Sequence, residues 1–95
     1  MANYYARVEL HGASWPEDYE ELHEALRKRG FTNCVPTSNG NTWRLPSGFY
    51  YSTGRDDDKD IVAKAVKESA DSTGYENEVV VIKTSGSNIY LSTRC

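Results

Sequence analysis

The fold is decided by the first third of the chain, Asn3–Gly30, and above all by Tyr4-Tyr5-Ala6-Arg7-Val8-Glu9-Leu10-His11. Apolar side chains at Tyr4, Ala6, Val8 and Leu10 alternate with Tyr5, Arg7, Glu9 and His11, the period-two pattern of a strand with one buried face. The second face carries an aromatic ring, a cation, a carboxylate and an imidazole in one row. No folding rule requires that chemistry there, so the row is a natural place to look for a site.

A helix from Ser14 to Arg29 follows. Ser14-Trp15-Pro16-Glu17 has the form of a capping box, in which the Ser14 hydroxyl and the Glu17 carboxylate each satisfy an otherwise orphaned amide. Pro16 is tolerated in a first turn, where its missing N–H has no intrahelical partner. Glu17, Asp18, Glu20 and Glu21 crowd the start and Arg27, Lys28 and Arg29 the end, as the helix dipole favours. Trp15, Tyr19, Leu22 and Leu26 make one apolar stripe. Gly30 supplies a left-handed stop.

Beyond Gly30 the signals shorten. Phe31–Thr37 reads as a strand, and Pro36 assigns it to an edge because proline cannot donate to a ladder. Asn39-Gly40, within Ser38–Asn41, is a strong hairpin signal. Thr42-Trp43-Arg44-Leu45 starts a third strand, which Pro46-Ser47-Gly48 interrupts and Phe49–Thr53 resumes. A bulge or kink at 46–48 is the expected explanation. Gly54–Asp58 opens a second helix with one of its aspartates as N-cap. Ile61, Val62, Ala65 and Val66, with Ser69 or Ala70, form its expected buried face, and Asp71–Gly74 ends it. Glu78–Thr84 is a fourth strand, Ser85–Asn88 a turn, and Ile89–Thr93 a short last strand. The order β-α-β-β-α-β with right-handed crossovers predicts an α+β, ferredoxin-like two-layer sandwich with an extra C-terminal strand. Both helices then cover one face of a single antiparallel sheet, and the other face stays open.

Ninety-five residues suit one domain, 1–95. No apolar run approaches the roughly 18 residues of a spanning helix, and the N-terminus has no basic-then-apolar signal pattern. A cytoplasmic protein without a membrane partner is expected, with Cys34 and Cys95 as free thiols. A net charge of −3 argues against a protein that coats nucleic acid non-specifically, while leaving room for a local basic patch.

No metal-ligand spacing, phosphate-binding glycine loop or nucleophile elbow is present, so neither metal nor cofactor is expected. Asp56-Asp57-Asp58 is explained as cap and dipole partner. The titratable candidates are the two histidines. His11 stands beside Glu9 at the strand end, and His23 lies at the stripe edge with Glu20 and Arg27 at helical neighbour spacing. Metal-free RNA cleavage needs a base for the 2′-hydroxyl and an acid for the leaving oxygen, which such groups supply. Each histidine also fits an ordinary structural role. Tyr5, Tyr50 and Tyr51, with Arg7, Arg44 and Lys83, match the chemistry that stacks unpaired bases and holds phosphates, and equally that of a core or a dimer interface.

The stretch Tyr4–Gly12, then Asp18-Tyr19-Glu20-Glu21-Leu22-His23, Arg29-Gly30-Phe31 and Leu45-Pro46-Ser47-Gly48-Phe49-Tyr50-Tyr51, resembles the GhoS-type antitoxins of type V toxin–antitoxin systems. The resemblance implies a ferredoxin-like fold similar to that of the small CRISPR-associated nucleases. It also implies a bacterial endoribonuclease that cleaves the messenger RNA of a membrane-lytic toxin. Metal-using relatives of that fold place an aspartate near the end of the first strand. Glu9-Leu10-His11 stands there in this chain, which points to a metal-independent reaction. His11, Glu9 and His23 are then the expected acid–base residues, Arg7, Arg44, Tyr50 and Tyr5 the RNA contacts, and single-stranded mRNA the partner. The alternative is a catalytically inert homodimer that buries the open sheet face.

Overall fold

The computed structural model describes residues 2–13, 16–37, 40–86 and 90–95. Strand β1, Ala2–Leu10, is the axis of the molecule. It pairs antiparallel with β4, Phe49–Arg55, on one side and with β5, Asn77–Thr84, on the other. The alternation in the sequence is the alternation in space. Tyr4, Ala6, Val8 and Leu10 are all but fully buried, whereas Arg7 and Glu9 are exposed.

Helix α1, Glu20–Lys28, and helix α2, Lys59–Asp71, both cover that buried face. Leu22 and Leu26 from α1 and Val62, Val66 and Ala70 from α2 join the β1 side chains in one core cluster with Phe31 and Tyr50. Complete burial of each leucine contributes roughly 2 kcal/mol of transfer free energy. Ile61, expected in this core, is instead 58 % exposed. The buried face of α2 is centred on Val62, Val66 and Ser69, which turns Ile61 outward.

The two helices begin and end by different means. Before α1, Pro16–Tyr19 forms a 3-10 turn, and Tyr19 at the N-cap makes no side-chain cap. Ser14 and Trp15, and with them the expected capping box, lie outside the described residues. Gly30, at φ +88°, ends α1 as expected. Its amide donates to the Arg27 carbonyl (3.1 Å) and the Phe31 amide to the Leu26 carbonyl (2.9 Å), a Schellman closure sealed by Phe31 and Leu26 in the core. At α2, the Asp58 carboxylate accepts from the amides of Asp60 and Ile61, both at 3.0 Å, as an N-cap. Asp58→Ala is expected to cost about 1 kcal/mol in chemical denaturation; an unchanged midpoint would contradict the cap.

The middle of the chain departs from expectation. Thr42–Arg44 (β3) and Phe49–Arg55 do not form one kinked strand but belong to different sheets: β3 pairs with β2, Cys34–Pro36, and β4 lies in the main sheet. A single expected sheet is therefore replaced by a three-stranded sheet, order β4-β1-β5, and a separate two-stranded one. Beyond β4, among the described residues, only the Thr32–Tyr51 bridge continues the main sheet. Pro36 sits in the small sheet, where its missing donor costs nothing essential. The bend between the two sheets is made by Gly48, at φ +79°, whose carbonyl accepts from the Val8 amide at 2.8 Å.

The last strand expected at Ile89–Thr93 is also corrected. Ile89, like Ser38, Asn39, Ser87 and Asn88, lies outside the described residues, and Tyr90–Thr93 is not a strand. The tail instead runs along β3, where Arg44 donates its amide to the Thr93 carbonyl (2.8 Å) and Cys95 to that of Thr42 (3.2 Å). Arg94 lies over the Trp43 ring, 5.4 Å from its centroid. Cys34 and Cys95, expected as free thiols, are joined in a disulfide across 61 positions. Because the tail returns to the small sheet, distance in sequence does not separate them. Among the described residues no helix is long and apolar enough to cross a membrane.

Candidate functional site

The fold gathers part of the outward row of β1 into a cleft of about 530 Å³. Arg7, Val8 and Glu9 line it from β1, Tyr19 and His23 from the helix side, and Arg44 to Phe49 from the bend between the sheets. Each wall follows from a local rule. The β1 period places Arg7 and Glu9 on the open face. His23 follows the fully buried Leu22 on α1 and so lies at the rim of the core, half-buried. Gly48 lets the chain turn back close enough to β1 for Phe49 to sit beside Arg7.

His23 is tied to Tyr50, whose hydroxyl lies 2.8 Å from the imidazole Nδ1. The rings are tilted at a centroid distance of 5.4 Å. Burial raises the Tyr50 phenol well above its ordinary pKa, with Tyr19 adding to the effect, so it keeps its proton at neutral pH. The hydroxyl can accept from Nδ1–H or donate to Nδ1, and the tautomer decides which. When Nδ1–H donates to Tyr50, Nε2 is left as the basic nitrogen.

Burial, reinforced by the Arg44 guanidinium, holds the His23 pKa below its ordinary value against the opposing pull of Glu20. The imidazole is thus neutral where a general base has to be neutral. The unfolded chain, with a histidine pKa of about 6.5, takes up this proton first as pH falls, so it holds more protons than the folded one. His23 therefore supports full stability above about pH 6.5, and that support is lost as pH falls through this value towards the folded pKa. Denaturation midpoints across that range should fall more steeply for the wild type than for His23→Gln. Equal slopes would contradict the buried neutral imidazole.

Among the described residues, Arg7 and Arg44 have no carboxylate partner, whereas Arg27, Arg29 and Arg55 pair with Glu24, Glu68 and Asp57. Arg7 lies over the Phe49 ring, 5.7 Å from its centroid. Two guanidinium groups, an imidazole and a carboxylate around one half-open space suit a phosphodiester.

The expected residues are divided. Glu9, His23, Arg7 and Arg44 line this cleft. His11 does not; its Nε2 faces the Glu78 carboxylate at 3.8 Å in a separate, shallower depression with Lys67, Asp71 and Asn77. The strand ends at Leu10 and the chain turns, so the row of alternate residues does not continue to His11. Tyr50, expected as an RNA contact, is only 1 % exposed and serves the core and His23 instead. Tyr5 stands outside the cleft on the open sheet face, packed on Tyr51 with ring centroids 4.9 Å apart.

Sequence reasoning missed Tyr19, Ser47 and Phe49 as cleft residues, along with the His23–Tyr50 bond. Tyr19 carries a signal only in hindsight, since its hydroxyl accepts the Leu10 amide (3.1 Å) and so anchors the helix start to the strand end. In comparisons with family models, curated proteins and solved structures, nothing matches the chain.

Proposed function

We propose that the cleft cleaves single-stranded RNA without a metal ion. The observation that carries this reading is the convergence of Glu9, a neutral His23, Arg7 and Arg44 on one space. Arg7 and Arg44 hold the scissile phosphate and offset its charge. The 2′-hydroxyl proton passes to His23, the O2′–P bond forms as the P–O5′ bond breaks, and the 5′-oxygen takes a proton from a water that Glu9 orients by accepting its other hydrogen; the hydroxide left behind takes the proton from the His23 imidazolium, which restores the neutral base. The products are a 2′,3′-cyclic phosphate and a 5′-hydroxyl end. Tyr50 acts through His23 as a positioning residue.

A central β1 between antiparallel β4 and β5, with both helices on one face, supports a ferredoxin-like fold whose fourth strand is reduced to the Thr32 bridge. The motifs resembling GhoS-type antitoxins support a toxin messenger RNA as substrate and a cytoplasmic setting. The Cys34–Cys95 disulfide weighs against a reducing compartment. The homodimer reading retains one observation in its favour: Val80 and Ile82 are 55 % and 54 % exposed on the open face.

The test is cleavage of a set of unpaired RNAs in excess chelator. The wild type is expected to cut, with His23→Ala and Glu9→Gln slower by at least about a hundredfold and His11→Ala unchanged. No cleavage, or wild-type rates in both cleft variants, would overturn the reading.

A further inference from the structure

The cleft does not end at its rim. Arg7 and Phe49 are paired across β1 and β4, and two residues along each strand the next pair on the same face is Tyr5 and Tyr51. Phe49 and Arg7 line the cleft, while Tyr5 and Tyr51 pack on each other outside it, so an aromatic strip leads from the cleft across the open sheet face. Resting on the reading that the cleft takes RNA, we infer that its substrate is an unpaired strand several nucleotides long, whose bases next to the cut phosphate stack on Phe49 and on the Tyr5–Tyr51 pair.

Two arguments favour this occupant. Ring faces recognise base faces, which are covered in a duplex and open in a single strand, so the strip selects against paired RNA. The strip also begins at Arg7 and Arg44, which among the described residues lack a carboxylate partner and therefore suit a polyanion. The aliphatic Val80 and Ile82 lie beside the strip on β5, opposite Arg7 and Tyr5, and widen it without adding charge.

The experiment is fluorescence anisotropy with 2′-O-methyl oligonucleotides of two, four, six and eight residues, which bind but cannot be cut. Affinity is expected to rise with length by about tenfold or more before levelling off, one stacked base being worth that order. Tyr51→Ala should flatten the rise, Tyr51→Phe should restore it, and a duplex of the same length should bind more weakly. Affinity independent of length, or a rise that survives Tyr51→Ala in a folded protein, would overturn the inference. So would a dimer in sedimentation that Ile82→Ser disperses while hexamer binding stays the same. Because these strands are uncleavable, length-dependent binding with no RNA cleavage elsewhere would remove the catalytic reading and leave the strip standing.

Discussion

Gly48→Ala is expected to lower the stability of the fold by about 3 kcal/mol or more. Two costs combine at this residue. Its φ of +79° lies in the left-handed region, which penalises any side chain. A Cβ would in addition stand 2.5 Å from the Val8 carbonyl oxygen. That oxygen belongs to the backbone of the central strand, which is held on both sides and cannot retreat. The Val8–Gly48 hydrogen bond of 2.8 Å would be lost in any shift that relieved the clash. Gly74→Ala is the control. Its φ is +84°, but a Cβ there meets nothing within 4 Å, so only the backbone cost of about 1 kcal/mol applies. Equal losses in the two variants, measured in urea, would contradict the close approach. Since Gly48 also closes the cleft wall, surviving folded Gly48→Ala protein should bind RNA less well.

The second large effect belongs to the disulfide. Cys34 and Cys95 close a loop across 61 positions, and removing the link by Cys34→Ser or Cys95→Ser should cost about 4 kcal/mol through the freedom returned to the unfolded chain. The native state loses something too. Cys34 lies opposite Arg44 in the β2–β3 ladder, and the tail on the other side of β3 holds the Arg44 amide. The link thus braces the strand that carries one of the two cleft cations. Non-reducing mass analysis should find no alkylatable thiol in the native protein. Two modified thiols, with a denaturation midpoint indifferent to reductant, would contradict the bridge.

How far the residues declared this structure depends on the range over which each rule acts. β1 was legible because strand alternation is local: Tyr4, Ala6, Val8 and Leu10 had only one arrangement that buried them all. Leu22, Leu26 and the Gly30 stop were legible for the same reason, as was an aspartate cap on α2, although only the structure shows that it is Asp58. Phe49-Tyr50-Tyr51 was not, because three consecutive rings fit either parity and give no sign of which one faces the core. The register with β1 decided it, burying Tyr50 and leaving Tyr51 on the open face with Tyr5. The separation of β3 from β4 was equally hidden. Pro46-Ser47-Gly48 announces a break, but whether the chain rejoins the same sheet depends on contacts with Val8, some forty positions earlier.

The candidate site divides along the same line. Arg7 and Glu9 follow from the local period of β1, which sets them on its exposed face. The partnership of His23 with Tyr50 spans 27 positions and no local pattern announces it. His11 shows the reverse error. Adjacency along the row suggested a pair with Glu9, yet the turn after Leu10 carries His11 to Glu78.

The two histidines also provide the most direct measurement of the central claim, since the chain holds no others and each imidazole gives its own resonances. Titration with a 2′-O-methyl hexanucleotide, followed by NMR of the imidazole protons and nitrogens, reports which one the strand approaches. The cleft predicts that the His23 signals move in a saturable way while those of His11 stay in place. If neither histidine responds, or if His11 alone does, RNA does not bind where Arg7, Glu9, His23 and Arg44 converge.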